Sequence, residues 1–475
     1  ELKIGKPELT PLEMNRDAVS DFLVEVRNTE VTPIEPVFLD YTKDLSFGKT
    51  KDGQELIYKH NDVNDVTNVS IIYKMNNTAS RTLPYAIDYL DYLGTKSKTA
   101  EQINAELYKL ACSYSISRGT NQVVISFHGL SENIPQAIAL VEDLLKNAVA
   151  DEEALKAYTE RELKYREDVK KNQKQNLNKL LKYVAFDGKN SSYFHNLLSN
   201  DEIANLKAQD LINELKSLLG YKYRALYYGP LSQKEAVKML ADSWKTPKKL
   251  TTPPQGPKFE EALTHETKIY VAPYEAKQLY MVLMNNLEKK YDKDFLPSMN
   301  MYDQYFGGGM NGIVFQEMRE RRSLAYSASA YVVEPDFPDH NFFIRGMIAT
   351  QNDKMMDAIG AFDEILNDMP QSEAAFQIAK EGLLAEMRSN RINGISVIMN
   401  YLEDEEMGLK ESPRKEIFMK LQDMTLDDVV KFQQNVVKDR KYHYGILGDI
   451  KDLDMDALKK MGEVIILTTE DIFGY

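Results

Sequence analysis

The chain has 475 residues, 43% of them apolar and 28% charged, with a formal net charge of -14. That composition is one of a globular protein, the length exceeds a single core and implies roughly two to four domains, and the acidic balance argues against nucleic-acid binding, which needs a basic face. Cys112 is the only cysteine, which rules out internal disulfides and a cysteine-based zinc site, and no apolar run of about 18 residues predicts a transmembrane helix.

The opening Glu1-Leu2-Lys3-Ile4 is neither an initiator methionine nor a signal peptide, so the chain is expected to be a piece of something longer. Its compartment, cytoplasm or periplasm, is left open. Residues 1–42 read as an arm or linker, with one short helix over Asp17–Val26 followed by the breakers Pro33 and Pro36. Two strands are predicted at Glu55–Lys59 and Val69–Met75, then helices at Leu83–Leu93 and Thr99–Leu110. Thr99 with Gln102 makes a capping box for the latter. Strands at Ser113–Ser117 and Gln122–His128 precede an amphipathic helix over Ile134–Leu145. Residues 152–185 form a highly charged helical stretch, followed by a helix at Leu206–Leu219 and a strand at Tyr223–Tyr228.

The sharpest boundary is the run from Thr246 to Pro257, whose four prolines fit neither a helix nor a central strand. Beyond it the pattern repeats. Tyr223–Gly229 parallels Tyr442–Gly448 at an offset of 219, Phe127-His128-Gly129 parallels Ile344-Arg345-Gly346 at 217, and Asp143-Leu144-Leu145 parallels Asp363-Glu364-Ile365 at 220. A repeat that long is a duplicated domain, not a solenoid unit. The predicted class is α+β: two homologous α/β-roll domains, each a mostly antiparallel sheet covered by helices on one face. The predicted division is an arm at 1–42, a first domain at 43–245, a linker at 246–262 and a second domain at 263–475.

Within the second domain, Gly307-Gly308-Gly309-Met310-Asn311-Gly312 reads as a glycine turn. One short helix follows, ending near Arg322-Ser323, and then a strand over Ala325–Val333. Three glycines free the backbone to take positive φ and clear side chains from its path. The turn is therefore either a tight corner or a place where a ligand's main chain approaches, at Gly307, Gly308, Gly309 and Asn311. Arg319, a fixed cation with five donors, and Tyr326, a neutral hydroxyl donor, lie one short element away. They are either a surface ion pair plus a packed phenol, or a pair of ligand-facing groups.

The segment Phe306 to Tyr326 closely resembles the signature of the pitrilysin/insulinase family of zinc metallopeptidases, and the likeness extends through the duplicated layout over about residues 45–475. The resemblance implies a four-domain enzyme of two bowl-shaped halves that close around a chamber where peptides are degraded. One half holds zinc through a His-x-x-Glu-His helix; the other presents an arginine and a tyrosine seven residues apart, here Arg319 and Tyr326. Tyr326 is then expected to donate to the oxyanion of the cleaved peptide bond and Arg319 to hold a substrate carbonyl.

No His-x-x-Glu-His occurs in the chain, and its histidines at 60, 128, 195, 265, 340 and 443 are isolated. Where the family's motif precedes a Gly-Thr, this chain has Tyr85-Ala86-Ile87-Asp88-Tyr89 ahead of Gly94-Thr95. Glu160 and Glu167 keep a spacing like that of the family's third ligand but read as a solvated helix face. The chain therefore resembles the zinc-free C-terminal half: no metal of its own, inactive alone, with zinc in a complementary half either fused to it or on a separate subunit. The expected partners are that half and a peptide substrate. The alternative is a non-catalytic scaffold subunit of the same fold.

Overall fold

The computed structural model describes residues 20–32 and 34–475. The beginning of the expected arm, including Asp17–Val19, and Pro33 lie outside the described residues. The arm helix runs over Asp21–Asn28 (α1), where the Ser20 hydroxyl accepts the Leu23 N–H at 3.2 Å.

Strands β1 Ser46–Lys49, β2 Glu55–His60, β3 Val66–Tyr73, β4 Cys112–Arg118, β5 Val123–Leu130 and β6 Arg224–Gly229 form one sheet, in the order β1-β2-β6-β3-β5-β4. All its pairings are antiparallel except β2 with β6. Strands β7 Lys268–Pro273, β8 Gln278–Lys290, β9 Ser327–Val333, β10 Asn341–Gln351, β11 His443–Gly448 and β12 Glu463–Ile466 form the second, in the order β12-β7-β11-β8-β10-β9. Five strands of each sheet match in order and direction. The sixth differs, since β1 runs antiparallel to β2 whereas β12 runs parallel to β7. β4 and β9 are the matching free ends of the two sheets.

The principal helices of the first half are α2 Leu83–Leu90, α3 Ala100–Lys109, α4 Ile134–Asn147, α5 Glu152–Val169, α6 Gln173–Ala185, α7 Ala208–Leu218 and α8 Gln233–Ser243. The Thr99–Gln102 capping box forms as predicted, while α2 stops at Leu90, three residues short of the predicted end. In the second half come α9 Leu296–Phe306, α10 Met355–Asn367, α11 Glu373–Ser389 and α12 Ser396–Glu406.

Strand alternation sends Val69, Ile71, Val123, Ile125, Phe127 and Tyr227 to one face of the first sheet, beneath the helices of the same half. Ile57, Ile72 and Leu226 point to the other face, where they meet Val397 and Ile398 of α12. The second sheet mirrors this. Its own helices cover Met281, Leu283, Ile344 and Ile446, and its opposite face packs Tyr270, Val282 and Leu447 against Leu177, Leu180 and Val184 of α6. Each half thus lends one helix to the open face of the other, beyond the one-face cover expected from sequence. Gly445 makes room for the loan, because a Cβ there would lie 2.8 Å from a Val184 methyl. Burying each of these apolar side chains is worth about 1.5–3 kcal/mol.

Candidate functional site

The glycine turn follows directly from α9. Gly307 ends that helix with its N–H donating to the Asp303 carbonyl at 2.9 Å. A Cβ on Gly307 would sit 1.8 Å from the Ala330 carbonyl oxygen of β9, and one on Gly308 would sit 2.1 Å from the Gln304 carbonyl. Gly307 is required by the packing of helix end on strand, and Gly308 by its closeness to the last turn of α9. Gly309 differs: it takes φ +62 and has open space where a side chain would stand.

The single short helix expected after the turn is more complex. One α-turn, Ile313–Phe315, continues as a π-helix over Gln316–Arg321. Met318 closes the segment: its side chain is fully buried and its carbonyl accepts the N–H groups of Leu324 and Ala325 at 2.9 and 3.2 Å. Ser323 then turns the chain at φ +52. Tyr326 joins the sheet just ahead of β9 through its N–H to the Ala349 carbonyl at 2.8 Å.

Three arginines leave this segment, and two are committed to carboxylates. Arg321 reaches Glu317 at 2.9 Å, and Arg322 reaches Glu364 at 2.8 Å. Among the described residues Arg319 has only Glu320 at 3.8 Å as an ion-pair partner, and its side chain is 45% exposed. Its guanidinium lies 5.7 Å from the Tyr326 ring centroid, and Tyr326 is 73% exposed. Tyr326 is therefore not a core phenol. Both side chains line an open cavity of about 370 Å³ together with Gln278, Thr350, Gln351 and Lys354. Gln278 and Gln351 are register partners at one end of β8 and β10, a proximity no sequence spacing signals. Gly307, Gly308, Gly309 and Asn311 do not line this cavity, although Asn311 is exposed.

In the first half, the degenerate slot on α2 is filled by protein. Tyr85 is buried and its hydroxyl accepts from the Arg166 guanidinium at 2.9 Å. Arg166 is 2% exposed and also donates to the Leu198 carbonyl at 2.8 Å and the Asn200 side chain at 3.0 Å. Tyr89 donates to the Asp151 carbonyl at 2.6 Å, and Tyr158 donates to Asp88 at 3.4 Å. Burial raises the Tyr85 hydroxyl above the ordinary phenol range, which keeps it neutral beside the cation. A resident guanidinium and two phenols do not suit a divalent cation, and among the described residues no three His, Cys, Asp or Glu side chains are grouped to hold one. Glu160 and Glu167 project from α5 into solvent.

Residues 224–383, from β6 into α11 and including the whole Gly307–Tyr326 stretch, match the family model described as the Peptidase M16 inactive domain. Over that stretch the chain is similar to the inactive domain of the M16 peptidases, the non-catalytic half of zinc protease-type proteins. An uncharacterized zinc protease of Rickettsia bellii is 25% identical over 311 residues, covering 61% of this chain and 70% of that protein. A crystal structure of a peptidase M16 inactive domain from Pseudomonas fluorescens has the same fold, with TM-score 0.65 and 15% identity, covering 85% of this chain and 98% of that one. The periplasmic protease PqqL of Escherichia coli superposes with TM-score 0.66 and 12% identity, over 94% of this chain and 49% of its own. No helix among the described residues is long and apolar enough to cross a membrane.

Proposed function

We propose that this chain completes a peptide-hydrolysing centre whose zinc and general base belong to a complementary half, fused or separate. Bound there, the metal supplies polarisation of the attacking water. From this chain, Tyr326 donates a hydrogen bond to the oxygen that becomes negative as the peptide carbonyl is attacked, and Arg319 holds a neighbouring substrate carbonyl. The single observation that carries this reading is the shared cavity. A cation whose carboxylate neighbour among the described residues, Glu320, stands 3.8 Å away and a largely exposed phenol face the same open space, while the arginines beside them are tied down more closely. Gly309 and Asn311, exposed next to the packed Gly307 and Gly308, are open to the main chain of the same peptide. The working units are 43–245 and 263–475, joined by the proline-rich linker 246–262.

The test reconstitutes peptide cleavage from this chain and the zinc-bearing half. Tyr326→Phe is expected to lower kcat by about 10²–10³, the typical cost of one oxyanion donor, with zinc content unchanged. Wild-type turnover in that variant excludes the assigned role. Full assembly without any cleavage would point instead to a scaffold.

A further inference from the structure

The two sheets end differently at their matching free strands. Both α2 and α9 open on a Leu-Pro pair, Leu83-Pro84 and Leu296-Pro297, and counting from it Asp303 stands where Leu90 does. In the second half the outer edge of β9 is covered at Ala330 and Val332. Asp303 accepts the Val332 N–H at 2.8 Å, and the Ala330 carbonyl is packed against Gly307. Leu90 offers no acceptor, and the edge of β4 is open. Among the described residues, the backbone of residues 113–117 bonds to nothing beyond β5. A row of unpaired N–H and C=O groups is a template for another strand.

Beside that edge runs a groove of about 530 Å³ between α2, α3 and β4, with Asp88, Asp91, Leu107, Tyr108, Ser113 and Ser115 among its walls. Among the described residues, no lysine or arginine lines it. Asp88 and Asp91 are exposed, and neither has an ion-pair partner within 4.0 Å among the described residues. Asp88 receives only the long contact from Tyr158 and feels Arg118 at the far end of β4. Partial desolvation raises both carboxyls, so an incoming cation would relieve a cost already present. Tyr108 is 86% exposed and lines the same groove, a second feature suited to a cation.

We propose that this groove binds an extended peptide segment carrying lysine or arginine, added as a further strand along β4 and held there without being cut. The main chain of the peptide satisfies the open edge, and its basic side chains meet Asp88, Asp91 and Tyr108. The seven residues of β4 present roughly 23 Å of edge at about 3.3 Å per residue, enough for a segment of similar length. A second copy of this chain is a poorer occupant. Pairing β4 with β4 would bring two acidic grooves together, whereas a basic peptide neutralises one. The proposal stands apart from the roles given to Arg319 and Tyr326.

The test measures fluorescence anisotropy of a labelled seven-residue peptide of alternating valine and arginine, with its glutamate counterpart and an arginine version N-methylated at alternate amides. Only the first is expected to bind, and it should slow amide exchange at residues 113–117. Asp88→Asn with Asp91→Asn should weaken binding about tenfold or more; the single changes serve if the pair fails to fold. Tyr326→Phe should bind as wild type, which separates this groove from the proposed catalytic pair. Equal binding of the glutamate peptide, unchanged affinity in the Asp variants, or protection anywhere but β4 would overturn it. So would a concentration-dependent dimer that protects β4 with no peptide present.

Discussion

The exchange of helices makes a quantitative demand on Ile398. This side chain of α12 is fully buried, yet the core it enters, with Ile57, Ile72 and Leu226, belongs to the first sheet. Ile398→Ala removes three buried carbons, worth about 0.8 kcal/mol each, and the unfilled cavity brings the total to about 2–5 kcal/mol. The reporter is the only tryptophan, Trp244, which is 3% exposed and lies 6.3 Å from Phe127 in the first core. Its fluorescence follows unfolding of the first half while the change lies in the second. With a urea slope of about 3 kcal/mol per molar, a loss of about 3 kcal/mol lowers the midpoint by roughly 1 M. An unmoved Trp244 transition would refute the claim that α12 is part of the first half's stability.

Other outcomes follow from single groups. Burial pushes the Asp303 carboxyl up to about 8, against 3.8 in the unfolded chain, so the folded state keeps a proton that the unfolded state releases. Its contribution to stability therefore falls as pH rises from about 4 to about 8 and is level outside that window. Asp303→Asn removes the fall, so comparing its Tm with wild type at pH 4 and pH 8 should show the variant gaining only at the higher pH. Arg166→Met leaves the Tyr85 hydroxyl, the Leu198 carbonyl and Glu162 without their cation, at a cost of about 3–5 kcal/mol. A calorimetric Tm within a degree of wild type would contradict that. The expectations for Tyr326→Phe in the assembled enzyme and for Asp88 and Asp91 in peptide binding complete the set.

Much of this was readable in the residues because local rules decided it. Period-two apolarity set β5, runs of β-branched and aromatic residues set β2 and β3, a capping box set the start of α3, and prolines kept residues 252–260 out of helix and strand. The repeat emerged from short anchors, and its five matched strands followed. Arg319 and Tyr326 were singled out by one dense signature, and both line one cavity. What escaped depends on distant partners. Leu177, Leu180 and Val184 announce a buried helix face but not which sheet it covers. Arg166 sits among Glu160, Arg161, Glu162 and Glu167 in an otherwise charged stretch, and only the fold shows that it alone turns inward. The π-helix was illegible because helix propensity does not separate it from an α-helix. The covering of β9 and the openness of β4 differ by Asp303 against Leu90, which propensity treats as two ordinary helix positions.

Lending helices also imposes an order on synthesis. When the ribosome has finished the first six strands, Ile57, Ile72 and Leu226 still await residues made more than a hundred positions later. At about 5–20 residues per second that interval lasts on the order of ten seconds or more. The nascent first half therefore matures only when the second arrives, which makes the two sheets one object of quality control although they look like two copies of a self-sufficient unit.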